Sequence, residues 1–104
     1  MVLKGGTYFL FYGAGAWDSA GAAIGYARCT SPSGPCVNAS VNGPWMGSHG
    51  AAVGPSGPAV FTDAAGYTRI AYHAWTGAVG YQNGGVRSLW IDRLVFRSGT
   101  PILK

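Results

Sequence analysis

The chain has 104 residues, of which 48% are hydrophobic and only 10% are charged, and its formal net charge is +4. This length suits one domain with a small core, and no stretch approaches the roughly 20 apolar residues that cross a membrane as a helix. The basic residues are scattered along the chain, so the sequence predicts no nucleic-acid partner and no membrane partner.

The first predicted strand covers residues 8–12 and has no polar interruption. A strand that is apolar on both faces belongs to a sheet covered on both sides, and we therefore place Leu10 in the core. Residues 13–16, Gly-Ala-Gly-Ala, end the strand. They predict a hairpin loop, because the Lys and Ser or Thr of a phosphate-binding loop are missing.

The second predicted strand covers residues 23–29 and is closed by a turn between two cysteines. Cys29 and Cys36 bracket Thr-Ser-Pro-Ser-Gly-Pro, a sequence that can bring the two sulfurs together. This spacing favours a disulfide over two free thiols. Residues 37–57 are rich in Gly, Pro, Ser and Asn, which predicts an outer strand followed by a long connection.

The second half of the chain predicts a further series of strands and no helix. Asp63 and Gly66 occupy positions that a β-turn favours, and residues 77–85 form a loop. Trp90 lies inside the longest strand and is expected in the core. The strands are expected at residues 59–62, 68–75, 87–96 and 102–103.

The two halves of the chain repeat one pattern. Gly6 leads into a strand that ends at Tyr12, and Gly66 leads into one that ends at Tyr72, so both pairs are sixty positions apart. Short strands repeated at this period are typical of propeller blades. The sequence therefore predicts an all-β fold, a partial β-propeller of two antiparallel blades in one domain (1–104). Residues 1–50 form the first blade and residues 51–104 the second.

Several segments, in this order, resemble the C-terminal two blades of a glycoside hydrolase family 43 enzyme. They are Tyr8-Phe9-Leu10-Phe11-Tyr12-Gly13, Ala23-Ile24-Gly25-Tyr26-Ala27 with the segment from Cys29 to Cys36, Gly54-Pro55 leading to Val60-Phe61-Thr62-Asp63, Tyr72-His73-Ala74-Trp75, and Gly84-Gly85-Val86-Arg87. The resemblance covers essentially the whole chain. It implies a five-bladed propeller, a preference for arabinose- or xylose-containing glycans, and a calcium ion in the central channel.

The resemblance also implies roles for His73 and Arg87, and the chemistry of aromatic rings adds two further candidates. His73 corresponds to a histidine that faces the channel near the ion, although a lone strand histidine is also a common core residue. Arg87 corresponds to an arginine that reaches the sugar, the alternative being an exposed loop arginine. Trp17 and Trp75 end strands and are candidates for stacking on a sugar, with inter-blade packing as the alternative. Many relatives carry a histidine between the Gly-Pro and the last inner strand, where this chain reads Gly54-Pro55-Ser56-Gly57-Pro58-Ala59, and this departure weakens the case for an intact sugar site.

Carboxylates are scarce in this chain. Inverting glycosidases need a general acid and a general base on opposite sides of the scissile bond. The family's three acidic residues lie in segments that precede the ones matched here. Only Asp18, Asp63 and Asp92 are present, and there is no glutamate. The chain thus resembles part of an inverting arabinofuranosidase or xylosidase. Because it lacks the acidic residues, we expect it to be inactive alone. A weaker alternative is a hydrolase that uses Asp18.

Two blades with open faces and edges predict association. The expected partner is a second copy, in a homodimer or larger ring, or a complementary propeller fragment. A second reading is a self-assembling module that binds glycans weakly, as a lectin does. The compartment is left open: relatives are often secreted, while Met1 followed closely by Lys4 and a strand predicts no signal peptide.

Overall fold

Two four-stranded antiparallel sheets make up the computed structural model, which describes all residues from 1 to 104. The first sheet has the order β1-β2-β3-β4 and the second the order β5-β6-β7-β8. The strands are β1 (Val2–Lys4), β2 (Thr7–Ala14), β3 (Ala23–Cys29), β4 (Cys36–Asn38), β5 (Val53–Thr62), β6 (Thr68–Thr76), β7 (Val86–Arg97) and β8 (Thr100–Leu103), and a 3-10 turn covers Tyr81–Asn83. The fold class, a partial β-propeller, is confirmed. No helix in the structure is long and apolar enough to cross a membrane.

The turn between β5 and β6 forms as its residue types predict. One carboxylate oxygen of Asp63 accepts hydrogen bonds from the backbone N–H groups of Ala65 and Tyr67, both at 2.9 Å. The other oxygen pairs with Nε of Arg69 at 2.8 Å, and this bond is the first cause that lowers the pKa of Asp63. Gly66 has a φ of +88°, which only glycine adopts without strain.

The start of β5 differs from the expectation. Residues 53–57, assigned from the sequence to a connection, are the first part of this strand. Its pairing with β6 shifts register on both sides of Ser56. Gly54 and Gly57 have positive φ values of +60° and +63°. The glycines and prolines here break the alternation that identifies a strand in sequence, although the chain still pairs around the bulges.

The core lies between the two sheets. Alternate residues of β2, β3 and β6 supply most of it, Leu94 of β7 adds to it, and Met46 and Ala52 come from the connection between the sheets. Its buried members are Phe9, Phe11, Ile24, Tyr26, Met46, Ala52, Ile70, Tyr72, Ala74 and Leu94. Burial of these apolar side chains is the main stabilising contribution.

The placement of Leu10 in the core was wrong, whereas Trp90 packs against the core but is only partly buried. Leu10 is half-buried on the face of β2 that points away from the second sheet, whereas its neighbours Phe9 and Phe11 fill the core. Trp90 lies opposite Tyr72 on the core-facing side of β7, where it packs against the core and is half-buried, and its Nε1 has no hydrogen-bond partner. Each sheet is covered on one face only, so a strand that is apolar on both sides buries only half of its residues fully.

The predicted disulfide is confirmed. Cys29 and Cys36 are bonded and lie opposite each other in the register of β3 and β4. All three residues of β4 are exposed, so the disulfide is the covalent link that holds this short outer strand to its sheet.

The second sheet has an exposed apolar surface on the side away from the core. We call it the open face and define it by Phe61, Leu89 and Ile91, whose side chains are 40%, 71% and 51% exposed. Leu89 and Ile91 lie on β7, with Ile91 opposite Ala71 of β6, and Phe61 lies on β5 opposite Arg69. Contiguous exposed apolar groups of this kind mark surfaces that bind a partner.

A partly buried hydrogen-bond chain joins the connection to the second sheet. The hydroxyl of Tyr72 donates to Asp92 at 2.5 Å and lies 3.1 Å from Nε2 of His49. Burial, followed by the bond to Asp92, raises the pKa of Tyr72 well above its usual value, so this hydroxyl stays protonated. Asp92 is therefore occupied as a hydrogen-bond acceptor inside the fold.

Candidate functional site

Arg87 is the centre of the candidate site. It stands at the start of β7, opposite Trp75 in the register. One terminal nitrogen donates to the carbonyl of Trp17 at 2.9 Å. The other donates to the carbonyls of Gly54 at 3.0 Å and His73 at 2.8 Å. Arg87 thus joins β5, β6 and β7 to the β2–β3 loop of the first sheet.

His73 completes this arrangement from the neighbouring strand. Its Nδ1 accepts from Nε of Arg87 at 2.9 Å and lies 2.6 Å from the second terminal nitrogen. Burial and then the charge of Arg87 lower the pKa of His73, since both disfavour the imidazolium. Burial also lowers the pKa of Arg87. The site therefore pairs a neutral histidine with a guanidinium whose three nitrogens all donate to the protein.

The side chains present do not fit a calcium ion. Calcium takes six to eight oxygen ligands, and no group of three His, Cys, Asp or Glu side chains in the chain could hold a metal. The Nδ1 of His73 is occupied by Arg87, and Gly57 lies against its Nε2 side. The calcium prediction at His73 therefore depends on oxygen ligands from outside these 104 residues.

Trp17 and Trp75 meet, but only one of them is available to a ligand. Trp75 is 0% exposed and donates from Nε1 to the carbonyl of Trp17 at 2.9 Å. The two indoles stack with centroids 5.9 Å apart, and the guanidinium of Arg87 lies 5.1 Å from the Trp75 ring. Trp17 is 53% exposed. Trp75 therefore packs beneath Trp17 and is closed to a ligand, whereas the ring of Trp17 is open to solvent.

Tyr81 is a site residue that the sequence reasoning missed. It lies on the 3-10 turn between β6 and β7, is 62% exposed, and packs edge-on against Trp75 at 4.9 Å and tilted against Trp17 at 6.2 Å. The only signal in the sequence is a Tyr-Gln-Asn triplet between Gly80 and Gly84, which does not say what the tyrosine contacts.

These aromatic rings line a cleft, which we call the aromatic cleft. It has a volume of about 300 Å³ and is bounded by both the β2–β3 loop and the β6–β7 loop. Its polar members include Asp18, Gln82 and Asn83, all exposed. The N–H of Ser19 bonds to the carbonyl of Ala16 at 3.1 Å, which places Trp17 and Asp18 at the tip of a tight turn.

The three aspartates do not form a catalytic pair. Asp63 belongs to the β5–β6 turn, and Asp92 on β7 accepts a hydrogen bond from Tyr72 on β6. Asp18 alone is exposed in a cleft, and no second carboxylate lines it. General acid–base hydrolysis by inversion requires two carboxyl groups with room for a water between them.

Comparison with known proteins identifies similar sequences. No protein-family model matches the chain. The chain is 33% identical, over an alignment of 119 positions, to a probable arabinan endo-1,5-alpha-L-arabinosidase A of Neosartorya fischeri. The alignment covers 99% of this chain and 37% of that protein.

Solved structures give the same result. A thermostable family-43 glycoside hydrolase superposes with a TM-score of 0.84 and 30% identity, over 99% of this chain and 33% of that one. An endo-1,4-beta-xylanase from Bacteroides thetaiotaomicron gives a TM-score of 0.81 at 28% identity, with coverages of 99% and 35%. The resemblance to family-43 propellers is confirmed, and the chain spans about a third of the length of the proteins it matches.

Proposed function

We propose that this chain, similar along its whole length to a third of a family-43 glycoside hydrolase, supplies two blades of a propeller that acts on arabinose- or xylose-containing glycans. The observation that carries the proposal is the full-length match in both sequence and fold. The two named relatives, an arabinosidase and a xylanase, support the substrate class.

Hydrolysis requires carboxylates that these 104 residues do not provide. The supporting evidence is the separate engagement of Asp63 and Asp92 and the isolation of Asp18. Because an inverting centre needs an acid and a base, the chain alone is expected to show no turnover. Identical copies add no new type of carboxylate, so self-assembly does not change this expectation.

The open face is the proposed contact with the complementary blades. Leu89 and Ile91 expose large apolar side chains on the side away from the core. In a propeller, each sheet packs face to face on the next, so a sheet with an apolar outer face fits another blade. The matched relatives have about two thirds of their length beyond the aligned region, which makes complementary blades the best-supported occupant.

A complementation experiment tests this function. The chain is assayed with aryl α-L-arabinofuranosides and β-D-xylosides, first alone and then mixed with the remaining two thirds of a similar family-43 enzyme produced separately. We expect turnover only in the mixture. Leu89→Asp should abolish the gain, whereas Val37→Asp should not, because Val37 is equally exposed at 72% but lies on the outer strand of the first sheet.

The outcomes separate the candidate functions. Turnover by the chain alone that is lost in Asp18→Asn would replace the proposal by a hydrolase centred on that carboxylate. The open face also favours a second candidate, a ring or dimer of identical copies that binds glycans in the millimolar range, roughly −4 kcal/mol. Light scattering of the isolated chain decides this: a stable oligomer that Leu89→Asp dissociates, with no complementation, would support self-assembly instead.

A further inference from the structure

The cations of this chain differ in whether the protein supplies an oxygen for them. Arg28, Arg69 and Arg87 each donate a hydrogen bond to a carbonyl or carboxylate oxygen of the chain. The side chains of Lys4 and Arg93 form no hydrogen bond, and the one salt bridge of the chain involves neither of them. Each lies over an aromatic ring instead. A cationic group with all of its N–H donors free is ready to bind an anion.

Both of these cations line one cleft, which we call the basic cleft and define by Lys4, Tyr67, Arg93 and Phe96. It has a volume of about 300 Å³ and lies between the end of β1, the start of β6 and the last residues of β7. The guanidinium carbon of Arg93 is 4.0 Å from the centre of the Tyr67 ring, and Nζ of Lys4 is 5.9 Å from the centre of the Phe96 ring. Stacking restrains each cation and leaves N–H groups free for an oxygen ligand.

The charge of Arg93 is not compensated within the chain. Arg93 lies directly opposite Arg69 in the pairing of β6 and β7, and like charges in such a pair repel each other. The charge of Arg69 is balanced by Asp63, at 2.8 Å. Asp92 precedes Arg93 in sequence but points to the other side of the sheet, where it accepts from Tyr72. An anion supplied from outside would therefore offset a repulsion that the fold leaves in place.

The basic cleft continues the open face. Arg93 follows Ile91 by two positions on β7, so both side chains point away from the core. Phe61 lies opposite Arg69 on the same side of the sheet. The surface that we assign to the complementary blades therefore ends in an unpaired guanidinium. The planar donors of a guanidinium match the two oxygens of a carboxylate.

We propose that the basic cleft binds a carboxylate, which an acidic side chain of the complementary blades supplies. The choice of occupant rests on the proposed function, which puts those blades on the open face. A second copy of this chain fits less well, because its net charge of +4 repels the first copy and its Asp63 and Asp92 are engaged within their own fold. The ion pair selects a partner whose acid meets Arg93, whereas apolar area alone accepts any flat apolar sheet.

The isolated chain tests the site itself. The probe is citrate at low ionic strength, and the readout is the backbone amide signals of residues 66–68 and 93–96 in NMR titrations. We expect Arg93→Gln and Lys4→Gln each to weaken citrate binding by about threefold or more. Arg97→Gln is the matched control, since it removes the same charge from the same strand outside the cleft.

The stability of the isolated chain separates this role from a structural one. Arg93→Gln removes the repulsion with Arg69, so it should not lower the free energy of unfolding in urea. A clear loss of stability in Arg93→Gln would show that the arginine serves the fold, and it would overturn the proposal.

Association with the complementary fragment tests the occupant. The Kd of the two purified parts is measured by calorimetry at about 50 mM and about 500 mM NaCl. We expect Arg93→Glu to weaken association by about tenfold at low salt and by much less at high salt, because salt screens an exposed ion pair. Arg97→Glu should have a smaller effect. Exchange of one particular Asp or Glu of the fragment for Lys should restore the affinity for Arg93→Glu.

The inference and the proposed function fail in different ways. Citrate binding that is equal in Arg93→Gln and Arg97→Gln reflects net charge alone and overturns the site, even where complementation restores turnover. Association that Arg93→Glu leaves unchanged, or weakens equally at both salt concentrations, or that no exchange in the fragment restores, overturns the acidic partner. Arg93-dependent citrate binding by a chain that does not associate with the fragment leaves the carboxylate site standing and removes the proposed function together with its occupant.

Discussion

The guanidinium of Arg87 donates to Nδ1 of His73 from Nε at 2.9 Å. Arginine has no acceptor, so this contact assigns the lone pair to Nδ1 and the imidazole proton to Nε2. The positive charge of Arg87 therefore favours the neutral form of His73. Protonation of Nδ1 would remove the lone pair that accepts this hydrogen bond. Two consequences follow, one for the pH dependence of stability and one for the residue that packs against the ring.

The free energy of unfolding should fall on mild acidification because of His73. Its folded pKa is lower than its unfolded value of about 6.5, so between the two the unfolded state binds more protons. The stabilisation from neutral His73 is complete above the pKa of the unfolded state and is lost as the pH falls through the pKa of the folded state. Urea unfolding between pH 7.5 and 5 should show a smaller pH slope for His73→Asn, whose side-chain oxygen can still accept from Arg87. Equal slopes would contradict the assignment.

A side chain at position 57 should destabilise the fold, because the imidazole of His73 packs against Gly57. It has a φ of +63°, and a Cβ there would clash with the imidazole of His73. Gly50 has a similar φ of +53° but has no neighbouring atom within 4 Å. Gly50→Ala should cost about 1 to 2 kcal/mol, the strain of the left-handed conformation alone. Gly57→Ala should lower the free energy of unfolding, measured by chemical denaturation, by clearly more than this. Similar losses for the two variants would show that the His73 ring moves aside without penalty.

Two isoleucines on opposite faces of the second sheet should differ in their contribution to stability. Ile70 is 0% exposed in the core, whereas Ile91 is 51% exposed on the open face. Ile70→Ala should lower the free energy of unfolding by about 2 to 5 kcal/mol. Ile91→Ala should change the stability of the isolated chain by about 0.5 kcal/mol or less. If Ile91→Ala is as costly as Ile70→Ala, the open face is already covered, most simply by another copy.

The disulfide should make a modest contribution, because it closes a short loop. Replacing both Cys29 and Cys36 by serine should lower the free energy of unfolding by about 2 to 3 kcal/mol. The double-serine variant also supplies the control, since a reductant should destabilise the original chain and not the variant. Two free thiols in the chain denatured without reductant would reject the bridge.

Much of the fold was determined by local sequence. The apolar runs at residues 8–12, 23–29 and 68–75 are strands, and the Asp63 turn forms as predicted, because alternation and turn chemistry act within a few residues. The disulfide and the resemblance to family 43 follow from patterns of the same kind. The first half of β5 was missed because its glycines and prolines conceal a strand that only pairing with β6 maintains.

The tertiary structure alone decided which residues meet and which remain exposed. Phe9 and Leu10 are neighbours in one apolar run, and their side chains point to opposite faces of the sheet. Only one face of each sheet is covered, so Leu10 is left half-buried. Trp17 and Trp75 were both candidates for a sugar, and packing between the sheets buried one beneath the other. Tyr81 joins them from a loop with no periodic pattern. Contacts between distant segments depend on how the two sheets pack, and no local preference encodes that arrangement.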